Sequence, residues 1–447
     1  MDTLWVRIVA FFTTILVSIT SLFGISAGRV VPLTKKNPDI PACQAGLFCG
    51  GFESSGSTVI DKYQRISAQD YEDYLSLLQE SGYALYDARE IEDNRFATLT
   101  DNEHSVHLSY YPRTRIMRIV VEELGTLCKL DDPYETVCDT LLTGMKGETV
   151  VAAEGMGFII RLADGSFCII DGGMGDPDGV DADKLMNILL AQKPAGTQKP
   201  VIAAWLFSHL HGDHIGVFNC FSLAHHDDVV IEQLVFNFPK EEEVQKSDSP
   251  YMLDDTIYRY TQFKKNLAEF YPDVPVLKVH TGDRFAVRNA RFDVLFTLDD
   301  LYPKSIMNGG MNDSSLLLKM TIDGQTTLWT GDFGANSVKT VLSEFSTETL
   351  SSDTLQLAHH GMNGTVDFYS AVDPSFALLP VWEGGYEHMR NLQQNQWLIN
   401  SPNLRQLIVT GQGTWTIRLP YDPVPGTFER IPPDDYVNPS YPQLLGE

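Results

Sequence analysis

Residues 207–216 read FSHLHGDHIG, directly after the apolar run VIAAWL at 201–206. His209, His211, Asp213 and His214 fall within six residues at a strand-to-helix turn, which is a poor way to fill a core. Imidazole and carboxylate together suit a borderline-soft divalent ion, zinc before others. His209 and His211 lie in the loop leaving the strand and can reach one ion together. Asp213 and His214, at the start of the next helix, can face a second ion close by.

The surrounding pattern has two halves. Before the motif, strands are expected at GFIIRL and SFCIIDGG, with a helix over DADKLMNILLAQ. After it come a helix from His214 to about Leu223, a strand at VVIEQLVFN and an amphipathic helix over 253–270. The second half begins with strands near 284–297 and continues with SSLLLKMTI, TTLWTGD, a helix at 335–345, TLQLAHHG, FALLPV, RQLIVTG and TWTIRL. Two α/β halves predict an αββα sandwich over residues 147–420, with 421–447 as a C-terminal tail.

Residues 57–125 form a separate pattern. Ser67 and Asp70 make an N-cap and capping box, Tyr71, Tyr74, Leu75 and Leu78 share one helical face, and Gly82 ends the helix. RFATL, HSVHLSYY and RIMRIVVE then read as strands, so a small α+β domain is expected. His104 and His107 fall on opposite faces of their strand and are expected at the surface. Residues 28–56, rich in Pro, Gly and small side chains, read as a linker.

Residues 8–27 carry no charge, so 1–27 read as a signal peptide or a membrane anchor. Small residues at Gly24, Ser26 and Ala27 suit cleavage and an exported protein. Arg29, Lys35 and Lys36 instead suit an anchor whose C-terminal side faces the cytoplasm. Cys43 with Cys49 and Cys128 with Cys138 could form short-range disulfides, while Cys168 and Cys220 read as buried thiols.

The chain has 447 residues, 43% hydrophobic and 21% charged, which excludes a disordered or polytopic membrane protein. Its 33 Lys and Arg stand against 59 Asp and Glu, a net charge of −26. Such a surface repels polyanions, so nucleic acid is disfavoured as a partner.

The HxHxDH of His209, His211, Asp213 and His214 resembles that of the metallo-β-lactamase superfamily. Asp171 in IIDGGMG, Asp332 in LWTGDFG and His359 in LQLAHHG match further motifs of the family, in order and at strand ends. The resemblance implies that Asp171 accepts a hydrogen bond from a ligating histidine, Asp332 bridges two zinc ions and His359 is the last ligand. His360 would then face the pocket as proton donor or substrate contact, although the two histidines could exchange roles. Where many relatives place a third histidine for the first ion, this chain has Asn312, Asp313 and Ser314. His280 is the nearest histidine upstream and is expected to be a loop or strand-end surface residue. The Asn-x-Ser and His-His-Gly pattern is similar to that of the competence DNA-uptake protein and of secreted choline-phosphate esterases, where one ion keeps an open position. A single-metal site is the alternative. Trp382, Tyr386 and His388 fall near a strand-end loop of the kind that rims the pocket in such sandwiches, where they would contact substrate, with a structural role for the Trp and Tyr as the alternative.

The resemblance therefore implies a zinc-dependent hydrolase using a metal-bound hydroxide, with two ions or another divalent metal, acting on a phosphoester or phosphodiester. The acidic charge favours a small-molecule or cell-surface phosphoester. A lactone or β-lactam-type acyl hydrolase is the first alternative, and a non-catalytic metal-binding surface module the second.

Overall fold

The computed structural model describes residues 40–54, 57–147, 156–247, 252–302 and 310–425. The hydrophobic segment 1–27 and residues 426–447 of the expected tail lie outside them. Among the described residues no helix is long and apolar enough to cross a membrane.

The first sheet is antiparallel and six-stranded, in the order β1-β2-β6-β5-β4-β3. Its strands are β1 (Leu47–Glu53), β2 (Val59–Gln64), β3 (Ala84–Ile91), β4 (Asn94–Thr100), β5 (His104–Tyr111) and β6 (Ile116–Glu123). β1 lies inside the stretch expected to be a linker. Gly50, at φ 133°, sits beside a register shift that breaks the apolar alternation of this strand, so its sequence resembles a loop. The helix Ala68–Glu80 starts at the expected capping box, with the Asp70 N–H donating to Ser67 Oγ and the Ser67 N–H to Asp70 Oδ2.

The period of two gives this sheet two distinct faces. Ala97, Leu99, Val106, Leu108, Tyr110, Met117, Ile119 and Val121 pack beneath Tyr71, Tyr74 and Leu78 of the helix. The alternate residues turn toward the rest of the molecule, with Phe96 and Tyr111 joining its large core and Val120 packing with Leu298 and Tyr302.

That remainder is the αββα sandwich. Its first sheet runs β13-β12-β10-β9-β8-β7-β21, with β11 beside β10. The strands are β7 (Leu141–Gly144), β8 (Gly157–Arg161), β9 (Phe167–Asp171), β10 (Val201–Leu206), β11 (Val230–Ile231), β12 (Leu234–Val235), β13 (Val276–Leu277) and β21 (Trp415–Arg418). The second sheet runs β14-β15-β16-β17-β18-β19-β20. It comprises β14 (Arg284–Val287), β15 (Ala290–Phe296), β16 (Leu317–Ile322), β17 (Gln325–Trp329), β18 (Thr354–Gln356), β19 (Phe376–Trp382) and β20 (Gln406–Gly411). Phe158, Ile160, Cys168, Ile170 and Leu206 meet Phe292, Val294, Leu318, Met320 and Trp329 between the sheets. Their strand neighbours, such as Ile159 and Ile169, face outward under helices that contribute Leu185, Ile215 and Phe218.

Two boundaries differ from the expectation. β7 starts the sandwich before residue 147, because the short run LLTG pairs with the distant β21. The tail begins docked: Tyr421 packs against Phe376 with ring centroids 5.1 Å apart, and its hydroxyl donates to Gln406. No disulfide joins the six cysteines. Cys43 belongs to the core under the first helix, while Cys49 donates to Leu47 O and Cys138 to Leu162 O.

Buried ions lock the first sheet to the sandwich. Arg118 on β6 lies 2.9 Å from Asp300 Oδ1 and 3.3 Å from Glu344 Oε1. One cation cannot balance two buried carboxylates. Burial, with the Asp300 charge added and Arg118 opposing, pushes Glu344 up to about 8. The folded state therefore holds a proton there that the unfolded chain releases near pH 4.5. This contribution to stability is complete below that pH and is lost as pH rises toward 8. Measured by urea unfolding, wild type should lose stability relative to Glu344→Gln over pH 5–8, by at most about 1.4 kcal/mol per pH unit. Parallel profiles for the two proteins would contradict this assignment.

Candidate metal centre

β10 ends at Leu206, and the chain crosses Phe207–His211 to enter the helix Gly212–His225. Gly216 allows this helix to sit against the loop after β9, since a Cβ there would lie 1.6 Å from Met174 O. His211 is the helix N-cap residue and Asp213 lies in the first turn, where the helix dipole favours a carboxylate.

The structure brings His209, His211, Asp213, His214, Asp332 and His360 together as two buried donor groups sharing Asp332. In the first, His209 Nε2 lies 3.1 Å from His211 Nδ1 and 3.7 Å from Asp332 Oδ2. In the second, His214 Nε2 lies 3.0 Å from Asp332 Oδ1 and 3.8 Å from Asp213 Oδ1. His360 Nε2 completes it, 2.9 Å from Asp213 Oδ2 and 3.8 Å from Asp332 Oδ1. Donors on one tetrahedral zinc stand about 3.3 Å apart, given bonds of about 2.0–2.1 Å. The observed spacings bracket that value. His214 Nε2 and both Asp332 carboxylate oxygens are buried without a well-formed hydrogen bond, His214 Nε2 and Asp332 Oδ1 facing each other at 3.0 Å. Such orphaned atoms are costly unless something binds them, and this donor set fits a divalent metal.

Of the two histidines in the His-His pair, the structure places His360 in a donor group, while His359 is half-buried with Nε2 3.6 Å from Asp332 Oδ2. The cause is local backbone: His359 and His360 both adopt left-handed conformations, at φ 52° and 54°. The turn places two adjacent side chains on the two oxygens of one carboxylate. Each left-handed non-glycine residue costs about 1–3 kcal/mol, strain that the surrounding structure must hold in place.

Asp171 is also left-handed, at φ 53°. Its Oδ2 accepts from Ser208 Oγ and lies 2.8 Å from His214 Nδ1, while Oδ1 accepts from the Ser208 N–H at 2.7 Å. This leaves His214 Nε2 turned toward Asp332. Likewise His360 Nδ1 lies 2.6 Å from Pro380 O. Asp171→Asn should lower metal affinity about 10–100-fold without unfolding the chain, measured by competition with a chelating dye.

Charge is unevenly held. Burial, with the His214 charge added, keeps His209 well below its ordinary value. Burial also opposes protonation of His214, but Asp332, Asp171 and Asp213 outweigh it and hold that histidine well above. Against burial, His214, His359 and His360 hold Asp332 well below the usual carboxylate range.

The remaining expected residues divide. Asn312 lies at the site, its amide nitrogen 3.2 Å from His359 Nδ1. Ser314 does not: its hydroxyl donates to Met311 O within a tight turn. Its neighbour Ser315 serves the centre instead, accepting from the Asp332 N–H at 3.0 Å. Asp313 accepts from the N–H and hydroxyl of Ser337 at the start of the helix Ala335–Glu344. Tyr386 is half-buried beneath Arg390 and His388 is exposed, and neither belongs to a donor group. Ser208, inside the motif itself, escaped the sequence reading; a hydroxyl adjoining His209 was the available signal.

No protein-family model matches the chain. It is 25% identical over 236 residues to ComE operon protein 3 of Bacillus subtilis (strain 168), a match covering 52% of this chain. The chain spans about a quarter of that relative, 26% of its length. Among solved structures, the metallo-β-lactamase fold protein YhfI from Bacillus subtilis is 13% identical, covering 62% of this chain and 100% of its own, with a TM-score of 0.36. Human tRNase Z, short form, is 14% identical, covering 63% and 100%, with a TM-score of 0.32. The relative matched by sequence agrees with the branch that the motifs resemble.

Proposed function

We propose that the chain is a dinuclear metal-dependent hydrolase of phosphoesters, phosphodiesters foremost. The observation that carries this reading is the Asp332 carboxylate, with Oδ2 toward His209 and Oδ1 toward His214. When bound, a pair of divalent ions, zinc before others, supplies Lewis acidity and a water whose pKa falls from about 16 to near 7. The chain's own part is to hold and orient. His209, His211 and Asp332 hold one ion, and Asp213, His214, His360 and Asp332 the other. No third histidine completes the first group, and its open side is occupied by Asn312 and the half-buried His359. His359 takes the substrate-contact role first considered for His360: burial holds it below the ordinary histidine value, so as a neutral imidazole it would hydrogen-bond the substrate from Nε2.

The net charge of −26 favours a small-molecule or cell-surface phosphoester over nucleic acid. Residues 8–27, read as a cleaved signal, would place the enzyme outside the cytoplasm; read as an anchor followed by Arg29, Lys35 and Lys36, they would leave it facing the cytoplasm. The test is turnover by the metal-loaded chain of bis(4-nitrophenyl) phosphate, 4-nitrophenyl phosphate, a lactone and a chromogenic cephalosporin. Phosphodiester turnover lost in His209→Ala is expected. Turnover of the acyl substrates alone would overturn the reading in favour of an acyl hydrolase. Full metal with no turnover would leave a metal-binding module.

A further inference from the structure

We propose that His107, Glu122 and His280 form a second, separate metal site that joins the N-terminal sheet to the sandwich, with zinc-class chemistry. His107 and Glu122 lie on β5 and β6, on the sheet face turned toward the sandwich; His280 lies in the loop after β13. The surface position expected for His280 is overturned, since it is 1% exposed. His107 is half-buried, its ring centroid 4.2 Å from that of His280.

Both imidazoles are held from behind. His280 Nδ1 lies 2.7 Å from Asp299 Oδ2. His107 Nδ1 lies 3.2 Å from Thr98 Oγ1 and 3.4 Å from Asp283 Oδ1. A hydrogen bond from Nδ1 to an oxygen leaves the Nε2 lone pair outward, the arrangement that metal-ligating histidines use. Both Nε2 atoms address one oxygen, Glu122 Oε1, at 3.2 Å from His280 and 4.0 Å from His107. The three donors lie within 4.8 Å of one another, and two imidazoles with a carboxylate are a known zinc set. The other Glu122 oxygen is held 3.0 Å from Lys278 Nζ and 2.9 Å from Thr58 Oγ1, which fixes Oε1 as the donor. His107 and Glu122 also line a small pocket with Tyr86, Thr98, Cys128 and Arg284. Burial opposes a proton on His280, but Glu122 and Asp299 hold its pKa up to about 10, so uptake of an ion displaces that proton.

This site does not depend on the proposed hydrolysis, and metal counting tests it. The full chain carrying Asp332→Asn and His209→Ala, which disables the main centre, is stripped with chelator, reloaded with zinc, desalted and analysed for metal. One zinc per chain is expected to remain, and adding Glu122→Gln should remove it with unchanged circular dichroism. His107→Gln, at a partly exposed position, serves if Glu122→Gln does not fold. No zinc in the disabled background, or equal zinc with and without these substitutions, would overturn the site and leave an ion-pair network only.

Discussion

Asp332→Asn is expected to reduce phosphodiester turnover by about 10³-fold or more and to empty both donor groups of metal. Asparagine keeps the shape but offers one neutral oxygen where the carboxylate addresses His209 from Oδ2 and His214 from Oδ1. Metal ions stabilise charge in such transition states by several kcal/mol, and each 1.36 kcal/mol is tenfold in rate. The variant also removes the carboxylate that faces His214 Nε2 at 3.0 Å, leaving that histidine with Asp171 and Asp213 alone. Metal per chain and kcat/KM, measured on one preparation, check both statements. Activity within tenfold of wild type would exclude Asp332 as the shared ligand.

Arg118→Leu should destabilise the folded chain by about 3–5 kcal/mol, the penalty for breaking a buried ion pair and leaving its partner uncompensated. Arg118 is held by Asp300 at 2.9 Å, by Asp300 O at 3.0 Å and by Glu344, with the Tyr111 ring 5.2 Å from its guanidinium. Leucine fills part of the volume but leaves Asp300 in the interface between the first sheet and the sandwich. Because the penalty belongs to the stranded carboxylate, adding Asp300→Asn to Arg118→Leu should recover much of it. Denaturant midpoints for the single and double variants measure this. A single variant within 1 kcal/mol of wild type, on the scale of an exposed pair, would refute the account.

The candidate donor residues were largely legible because they sit where strands end, in short stretches whose residue types have few other uses. His209 to His214 span one turn, and Asp171 and Asp332 each close an apolar strand. What escaped depends on backbone sign and on distance along the chain. Nothing in the letters HHG shows two successive left-handed residues, yet that doublet decides which histidine joins Asp213. Ser314 and Ser315 differ only in direction, and a tight turn ending at Ser314 points one back to Met311 and the other to Asp332. His280 read as a surface residue because Glu122, its partner across the interface, is 158 positions away. The αββα layers followed from alternation, whereas β1 was missed where Gly50 interrupts it.

The two-faced sheet sets limits on how this protein can vary in length. In β5, Val106, Leu108 and Tyr110 lie under the helix, while Tyr111 reaches the sandwich core and His107 faces His280. Removing or inserting a single residue within β5 or β6 would invert every side chain beyond it. Helix-facing aliphatics would then meet Asp283 and Asp300, and Arg118 or His107 would be driven under Tyr71 and Leu78. Single-residue insertions and deletions are thus tolerable only in the turns at 92–93, 101–103 and 112–115, while the strands between them change by substitution.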